Sequence, residues 1–209
     1  SFHDRFGCSD ADNDGWSNTI DAFPNRASQW NDTDGDGFGD NLAGFRGDTC
    51  PSTYGDSFRN NTYGCPDADF DGWADTEDSF PQQSSQWNDT DGDGYGDEFS
   101  GFQGDECPAI AGNSTKDRFG CPDQDGDGHS DLTDAFPSNP TQHLDTDGDG
   151  YGNNQSAGAT QSDAFPNDGT QWEDADGDGY GDNKYGSQGD HFPSDPSRWQ
   201  DSDEDGYAN

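Results

Sequence analysis

Eight times along the chain the pattern Asp-x-Asp-x-Asp-Gly recurs, beginning at Asp10, Asp32, Asp67, Asp89, Asp123, Asp145, Asp174 and Asp201. The sixth residue is glycine in every copy: Gly15, Gly37, Gly72, Gly94, Gly128, Gly150, Gly179 and Gly206. A fixed register of this kind separates the chain from a soluble Asp/Gly-rich spacer. It also leaves little with which to build an ordinary core. Ile20, Ile110, Leu42, Leu132 and Leu144 are the complete stock of Ile, Leu and Val, there is no Met, and hydrophobic residues make up 24% of the chain. No helix bundle, sandwich or doubly wound sheet can be filled from that stock.

The charge sharpens the problem. With 46 acidic against 8 basic side chains, the formal net charge is −38. Low hydrophobicity with high net charge is the signature of disorder, because too little apolar surface is buried to offset conformational entropy. Aromatic residues at 13% run against that signature, and the acids are almost all Asp. The reading is that cations replace the missing core. A nucleic-acid partner is not expected, since there is no basic patch to meet phosphates. Membrane insertion is not expected either, since no apolar run approaches the roughly 20 residues that span a bilayer.

The spacing explains what the carboxylates are for. When the backbone curls, side chains at loop positions 1, 3 and 5 converge on one point, position 6 turns sharply and so takes Gly, and position 7 offers its carbonyl. Position 1 is the first residue of each copy. Position 3 is Asp12, Asp34, Asp69, Asp91, Asp125, Asp147, Asp176 or Asp203, and position 5 is Asp14, Asp36, Asp71, Asp93, Asp127, Asp149, Asp178 or Asp205. The position 7 carbonyls belong to Trp16, Phe38, Trp73, Tyr95, His129, Tyr151, Tyr180 and Tyr207. Position 9 adds Asn18, Asp40, Asp75, Asp97, Asp131, Asn153 and Asp182 as further candidate ligands. Three copies close as an EF-hand loop does, with an acid at position 12: Asp21, Asp78 and Asp134. In four others an insertion delays closure to Asp48, Asp105, Asp163 and Asp190, and these loops carry extra Gly at positions 4 and 8.

Two carboxylates about 4 Å apart repel by roughly 4 kcal/mol at an effective dielectric near 20, and each loop gathers at least three. Such a loop is expected to hold a cation. The oxygen-only donors and their flexible number favour Ca²⁺ over Mg²⁺, which demands a tight octahedron, and over Zn²⁺, which prefers N and S. At least one Ca²⁺ per loop, about eight or more in all, is the expectation. Long flanking helices are not expected. No intervening stretch shows apolar residues at i, i+3, i+4 and i+7, and Pro follows each closing Asp almost at once.

Gly7-Cys8, Gly64-Cys65 and Gly120-Cys121 begin corresponding stretches about 57 residues apart, and Gln29-Trp30 recurs as Gln86-Trp87. The expected units are 1–63, 64–119, 120–162 and 163–209, the last made of shorter repeats without cysteine. Both ends look cut from a longer array: Cys8 has no upstream mate, and the loop at Asp201 lacks a closing Asp. Each closing Asp opens an Asp-x-Phe-Pro or Asp-x-Cys-Pro segment, and two residues before the next loop stands an aromatic residue, His143 or Cys. Phe23, Phe80, Phe136, Phe165 and Phe192 match Trp30, Trp87, His143, Trp172 and Trp199, while Cys50 matches Cys65 and Cys107 matches Cys121. We therefore expect aromatic and cystine staples to alternate at one structural place, with disulfides Cys50–Cys65 and Cys107–Cys121. Each would contribute about 3 kcal/mol in the chain-entropy model. Disulfides and weak Ca²⁺ loops together point to the outside of a cell or its surface. Asn31, Asn60, Asn88, Asn113 and Asn154 head Asn-x-Ser/Thr sequons and are candidate glycan acceptors.

Taken together, Asp48-Thr-Cys-Pro and Gly64-Cys-Pro-Asp-Ala-Asp-Phe-Asp-Gly resemble the thrombospondin type 3 calcium-binding repeat. The resemblance covers nearly the whole chain. It implies an elongated tandem array with little regular secondary structure, wrapped around a line of Ca²⁺ ions, commonly two per motif, in a matrix or surface protein. The Phe/aromatic pairs and Gly-rich loops look more like microbial surface proteins. No enzyme is expected, because His3, His129, His143 and His191 stand where other copies carry structural residues. The preferred function is a calcium-stiffened stalk or a subunit of an extracellular fibre, partnered by its own copies or by neighbouring repeats of a longer chain. The alternative is a calcium-dependent adhesion module that binds glycans or a protein.

Overall fold

The structure is a computed structural model that describes residue 3 and residues 7–208. Among the described residues there is no helix, and extended pairing is confined to isolated parallel bridges such as Gly39 with Gly47 and Asp48 with Tyr63. Little regular secondary structure was the expectation, and the turns that replace it follow from the side chains. In the loop at Asp10, Asp10 Oδ1 accepts from the Asn13 N–H at 2.8 Å and Oδ2 from the Gly15 N–H at 3.2 Å, and Asp14 Oδ1 accepts from the Trp16 N–H at 2.8 Å. The same bonds recur at Asp67, Asp71, Asp123 and Asp127. Each Asp thus offers the backbone a local acceptor in place of a ladder. Position 6 lies in the left-handed region in every copy, with φ from +87° at Gly206 to +106° at Gly15. A side chain there would be strained.

The chain divides into two compact units, Ser1–Pro108 and Ala109–Asn209. The first contains the loops that begin at Asp10, Asp32, Asp67 and Asp89; the second contains those at Asp123, Asp145, Asp174 and Asp201. Within each unit, short and long loops reach the same closure. In the short loops the Asp21 N–H donates to Ser17 O at 3.0 Å and the Asp134 N–H to Ser130 O at 2.9 Å, so position 12 bonds to position 8. In the long loops the closing N–H bonds to position 8 again, across the insertion: Asp48 to Gly39 at 2.8 Å, Asp105 to Gly96 at 2.8 Å, Asp163 to Gly152 at 2.9 Å and Asp190 to Gly181 at 2.7 Å.

What holds each insertion is a buried glutamine. Gln29, Gln86, Gln142 and Gln171 are all but fully buried. The Gln29 Nε2 group donates to Asn41 O at 2.9 Å and Phe45 O at 3.2 Å, while its Oε1 accepts from the Asn41 N–H at 3.1 Å. Gln86 repeats this with Glu98 and Phe102, and Gln171 with Asn183 and Ser187. One amide therefore satisfies three backbone groups of a loop that has no ladder of its own. The glycine at position 8 is explained by the same packing. A Cβ on Gly39, Gly96, Gly152 or Gly181 would collide with the glutamine amide. The core is accordingly polar: among the described residues the buried apolar ones are Cys65, Ala74, Cys121 and Phe136.

Aromatic stacking seats the segment that leads to the next loop, with a partner different from the one expected. Trp87 lies on Trp73, Trp172 on Tyr151 and Trp199 on Tyr180, at centroid distances of 6.3, 5.5 and 4.8 Å. The ring partner of each is thus the position 7 residue of the preceding loop. The Phe of the Asp-x-Phe-Pro segment is tied instead through the backbone: Ala22, Ser79, Ala135, Ala164 and His191 each donate to the carbonyl of the aromatic or His143 at 3.0–3.1 Å.

The disulfide Cys50–Cys65 is present, with Cα atoms 5.1 Å apart. Cys107 and Cys121 are also disulfide-bonded, and Cys8 is a free thiol. The cystine does not replace the aromatic element at the same place, which corrects the expectation of alternative staples. The Thr49 N–H donates to Tyr63 O at 2.9 Å and the Tyr63 ring packs on Phe38 at 5.7 Å, so Tyr63 takes the role of the tryptophan and Cys65 follows two residues later.

Candidate cation sites

The carboxylates converge as the spacing requires. One oxygen from each of Asp10, Asp12 and Asp14 lies within 4.8 Å of the others, and the same holds for Asp32, Asp34 and Asp36, for Asp67, Asp69 and Asp71, and for Asp89, Asp91 and Asp93. The closing residues Asp21, Asp48, Asp78, Asp105, Asp134, Asp163 and Asp190 are all buried. Each presents Oδ1 to the N–H two residues on, at 2.6–2.7 Å, as Asp48 does to Cys50 and Asp163 to Phe165. That bond fixes the other oxygen. In Asp21, Asp48, Asp105, Asp134, Asp163 and Asp190, Oδ2 is buried without a hydrogen-bond partner. The second oxygens of Asp12, Asp34, Asp69, Asp125 and Asp176 at position 3, and of Asp14, Asp71, Asp149 and Asp178 at position 5, share that condition.

The electrostatics agree with the geometry. Burial pushes the Asp48 carboxyl up to about 6, against the Cys50 N–H bond that lowers it, and repulsion from Asp36, Asp34 and Asp40 adds to the rise. Asp21, Asp78, Asp105, Asp134, Asp163 and Asp190 are raised in the same direction, by burial first and then, after the opposing backbone bond, by the carboxylates of their own loops. A proton and a cation would compete for one place there.

Position 9 behaves differently. Asp40 Oδ1 accepts from the Thr33 N–H at 3.0 Å, and its Oδ2 accepts from Thr33 Oγ1 at 2.6 Å and from Asn31 Nδ2. Asp97 repeats this with Thr90 and Asn88. Burial raises these two carboxyls, but the hydrogen bonds outweigh it and hold both below the usual range. Asn18, Asp75, Asp131, Asn153 and Asp182 likewise accept from the position 2 N–H, at 2.7–3.1 Å. The position 9 side chain is thus a latch across the loop, and in Asp40 and Asp97 both oxygens are engaged in it.

Position 7 is held by its N–H on the position 5 carboxylate, and the rings of Phe38, Tyr151 and Tyr180 turn to the contacts described above. In the loop at Asp201, Asp201 Oδ2 accepts from the Gly206 N–H at 2.9 Å, while Asp203 is exposed. The latch also gives two sequons a structural role, because Asn31-Asp-Thr33 and Asn88-Asp-Thr90 supply its donors. Asn60 and Asn113 are exposed. Asn154 Nδ2 donates to Thr141 O at 2.8 Å. The glutamine core is the feature that sequence reasoning missed, although Gln29-Trp30 and Gln86-Trp87 marked it. Among the described residues no helix is long and apolar enough to cross a membrane. No protein-family model matches the chain, and no curated protein matches it.

Proposed function

We propose that the chain is a calcium-binding structural array, a Ca²⁺-stiffened stalk or fibre subunit that works outside the cell or on its surface, of the kind thrombospondin type 3 repeats form. The observation that carries this reading is the set of six closing aspartates, Asp21, Asp48, Asp105, Asp134, Asp163 and Asp190, buried with an oxygen unpartnered beside further carboxylates of the same loop. A buried charge without a partner is expensive, and a hard divalent cation supplies the partner. Positions 1, 3 and 5, the position 7 carbonyl and the closing Asp are the ligands of this reading, with position 9 as a latch. All are oxygens, which suits Ca²⁺. The two disulfides fit an oxidising compartment. The repeat-equivalent placement of every feature favours a scaffold over a single recognition site, because recognition singles out one or two copies.

The test is small-angle scattering of the chain in millimolar Ca²⁺ and after chelation. A stiff, elongated particle that collapses or swells into a flexible one on chelation supports the proposal. A particle unchanged by chelation contradicts it.

A further inference from the structure

We propose that His129, His143 and Asp127 form a site for a borderline divalent cation of the zinc type, beside the loop that begins at Asp123 and sharing Asp127 with its oxygen cage. One ligand atom from each of the three lies within 4.8 Å of the others. The two imidazoles face each other with centroids 4.0 Å apart and planes 3° from parallel. A second carboxylate stands at the same ring, with Asp117 Oδ2 3.9 Å from His129 Nδ1. Asp117 is itself held by the N–H groups of Ser130 at 2.9 Å and Arg118 at 2.7 Å.

Equivalent positions in other copies show what this pair displaces. Trp73 with Trp87, Tyr151 with Trp172 and Tyr180 with Trp199 fill the same two places with large rings. Stacking alone does not favour a double exchange to histidine, since imidazole offers less apolar area than indole. What the exchange adds is two ring nitrogens next to a carboxylate. Two imidazoles and one carboxylate make a donor set for Zn²⁺ and its neighbours in the first transition row, whereas Ca²⁺ takes oxygens alone.

The geometry needs one adjustment. Zn–N bonds of about 2.0–2.1 Å place tetrahedral ligands about 3.3 Å apart, so the three groups close by roughly 1.5 Å at most. Imidazole lone pairs lie in the ring plane, so the parallel rings must splay to share an ion. His143 is exposed and free to make that rotation. Asp127 gives Oδ1 to the His129 N–H at 2.8 Å, and its Oδ2, the position 5 ligand of the oxygen cage, would bridge the two ions. Its carboxylate then joins this site to the oxygen cage.

The experiment is a Zn²⁺ titration of the full chain by calorimetry in millimolar Ca²⁺, which commits the oxygen cages, with Co²⁺ absorption reporting nitrogen ligation. The expected result is one Zn²⁺ equivalent, weakened at least about tenfold in both His143→Trp and His129→Tyr. Both variants insert residue types that equivalent copies carry, so the stack and the fold are kept. Zn²⁺ binding that persists in both variants, or no binding beyond the Ca²⁺-filled loops, overturns the proposal. A chain that takes up no Ca²⁺ but still loses Zn²⁺ with either histidine upholds this site while removing the calcium reading.

Discussion

The N–H of Asp48 donates to the carbonyl of Gly39 at 2.8 Å, and this one bond makes a long loop equivalent to a short one. The Asp21 N–H makes the same bond to Ser17. An insertion can therefore lengthen the sequence between the Asp triad and its closing Asp without moving that residue. The prediction is that Asp48→Asn, which keeps an acceptor for the Cys50 N–H but removes the charge, weakens Ca²⁺ binding in its own loop by about tenfold or more, equivalent to at least about 1.4 kcal/mol. Titration with a calcium indicator dye checks this, and the loops at Asp10 and Asp89 should keep their affinities.

Gln29 stands in place of a hydrophobic core for the insertion that follows it. Its removal leaves the Asn41 N–H and the Asn41 and Phe45 carbonyls without their partner and opens a cavity. Gln29→Ala is expected to destabilise the Ca²⁺-loaded chain by about 2–4 kcal/mol, as unsatisfied buried groups do. Gln29→Glu should destabilise comparably, because it loses the Nε2 donor. Thermal unfolding in saturating Ca²⁺ measures both. A loss below about 0.5 kcal/mol for Gln29→Ala would show that the amide is dispensable.

Phe70 occupies position 4 of its loop at φ +66°, where five other copies carry Gly and the remaining two carry Asn13 and Glu204. A non-glycine residue in the left-handed region costs about 1–2 kcal/mol, and Phe70 is exposed, so little packing is lost when it goes. Phe70→Gly is therefore expected to stabilise the chain by about 1 kcal/mol, net of the extra entropy of glycine in the unfolded state. Chemical denaturation of the two proteins side by side decides it.

The raised carboxyls give the calcium-free protein an inverted pH response. The carboxyl of Asp48 rises from its ordinary 3.8 to about 6 in the folded chain. A group raised on folding contributes stability that is fully present below its unfolded pKa and is lost as pH rises through the folded one. After chelation, stability should therefore increase as pH falls from 7 towards about 4, the reverse of ordinary acid unfolding. In Ca²⁺ the sign turns, because protons then displace the ion and acidification destabilises. Residual order of the chelated chain, read by circular dichroism, and the melting temperature in Ca²⁺, each followed across pH 4–8, should run with opposite slopes.

Much of the architecture was legible because the Asp triads repeat in register with Gly at position 6, and because Cys50 and Cys107 each follow a closing Asp by two residues while Cys65 and Cys121 each precede the next loop by two. The positions of the closing aspartates could be read for the same reason. Three relationships could not be read. The latch at Asp40 depends on side-chain rotamers that carry no spacing signal beyond the recurrence of Asn-Asp-Thr. Gln29 packs against Gly39 across a turn, and a polar residue before a tryptophan looks solvent-facing when burial is judged by hydropathy. Tyr63 in place of Cys65 as the tryptophan equivalent was hidden because alignment counts back from the next loop, whereas the backbone bond to Thr49 is what defines the position.

The most direct test of the account is an equilibrium Ca²⁺ titration of the chelated chain, with bound ions counted and circular dichroism followed on the same samples. The account predicts at least one ion for each loop that has a closing Asp, taken up together with a large change in the spectrum, because the cages order around the metal. A chain that binds no Ca²⁺ at millimolar concentration, or binds it with no change in the spectrum, would contradict the central claim that cations take the place of the missing core.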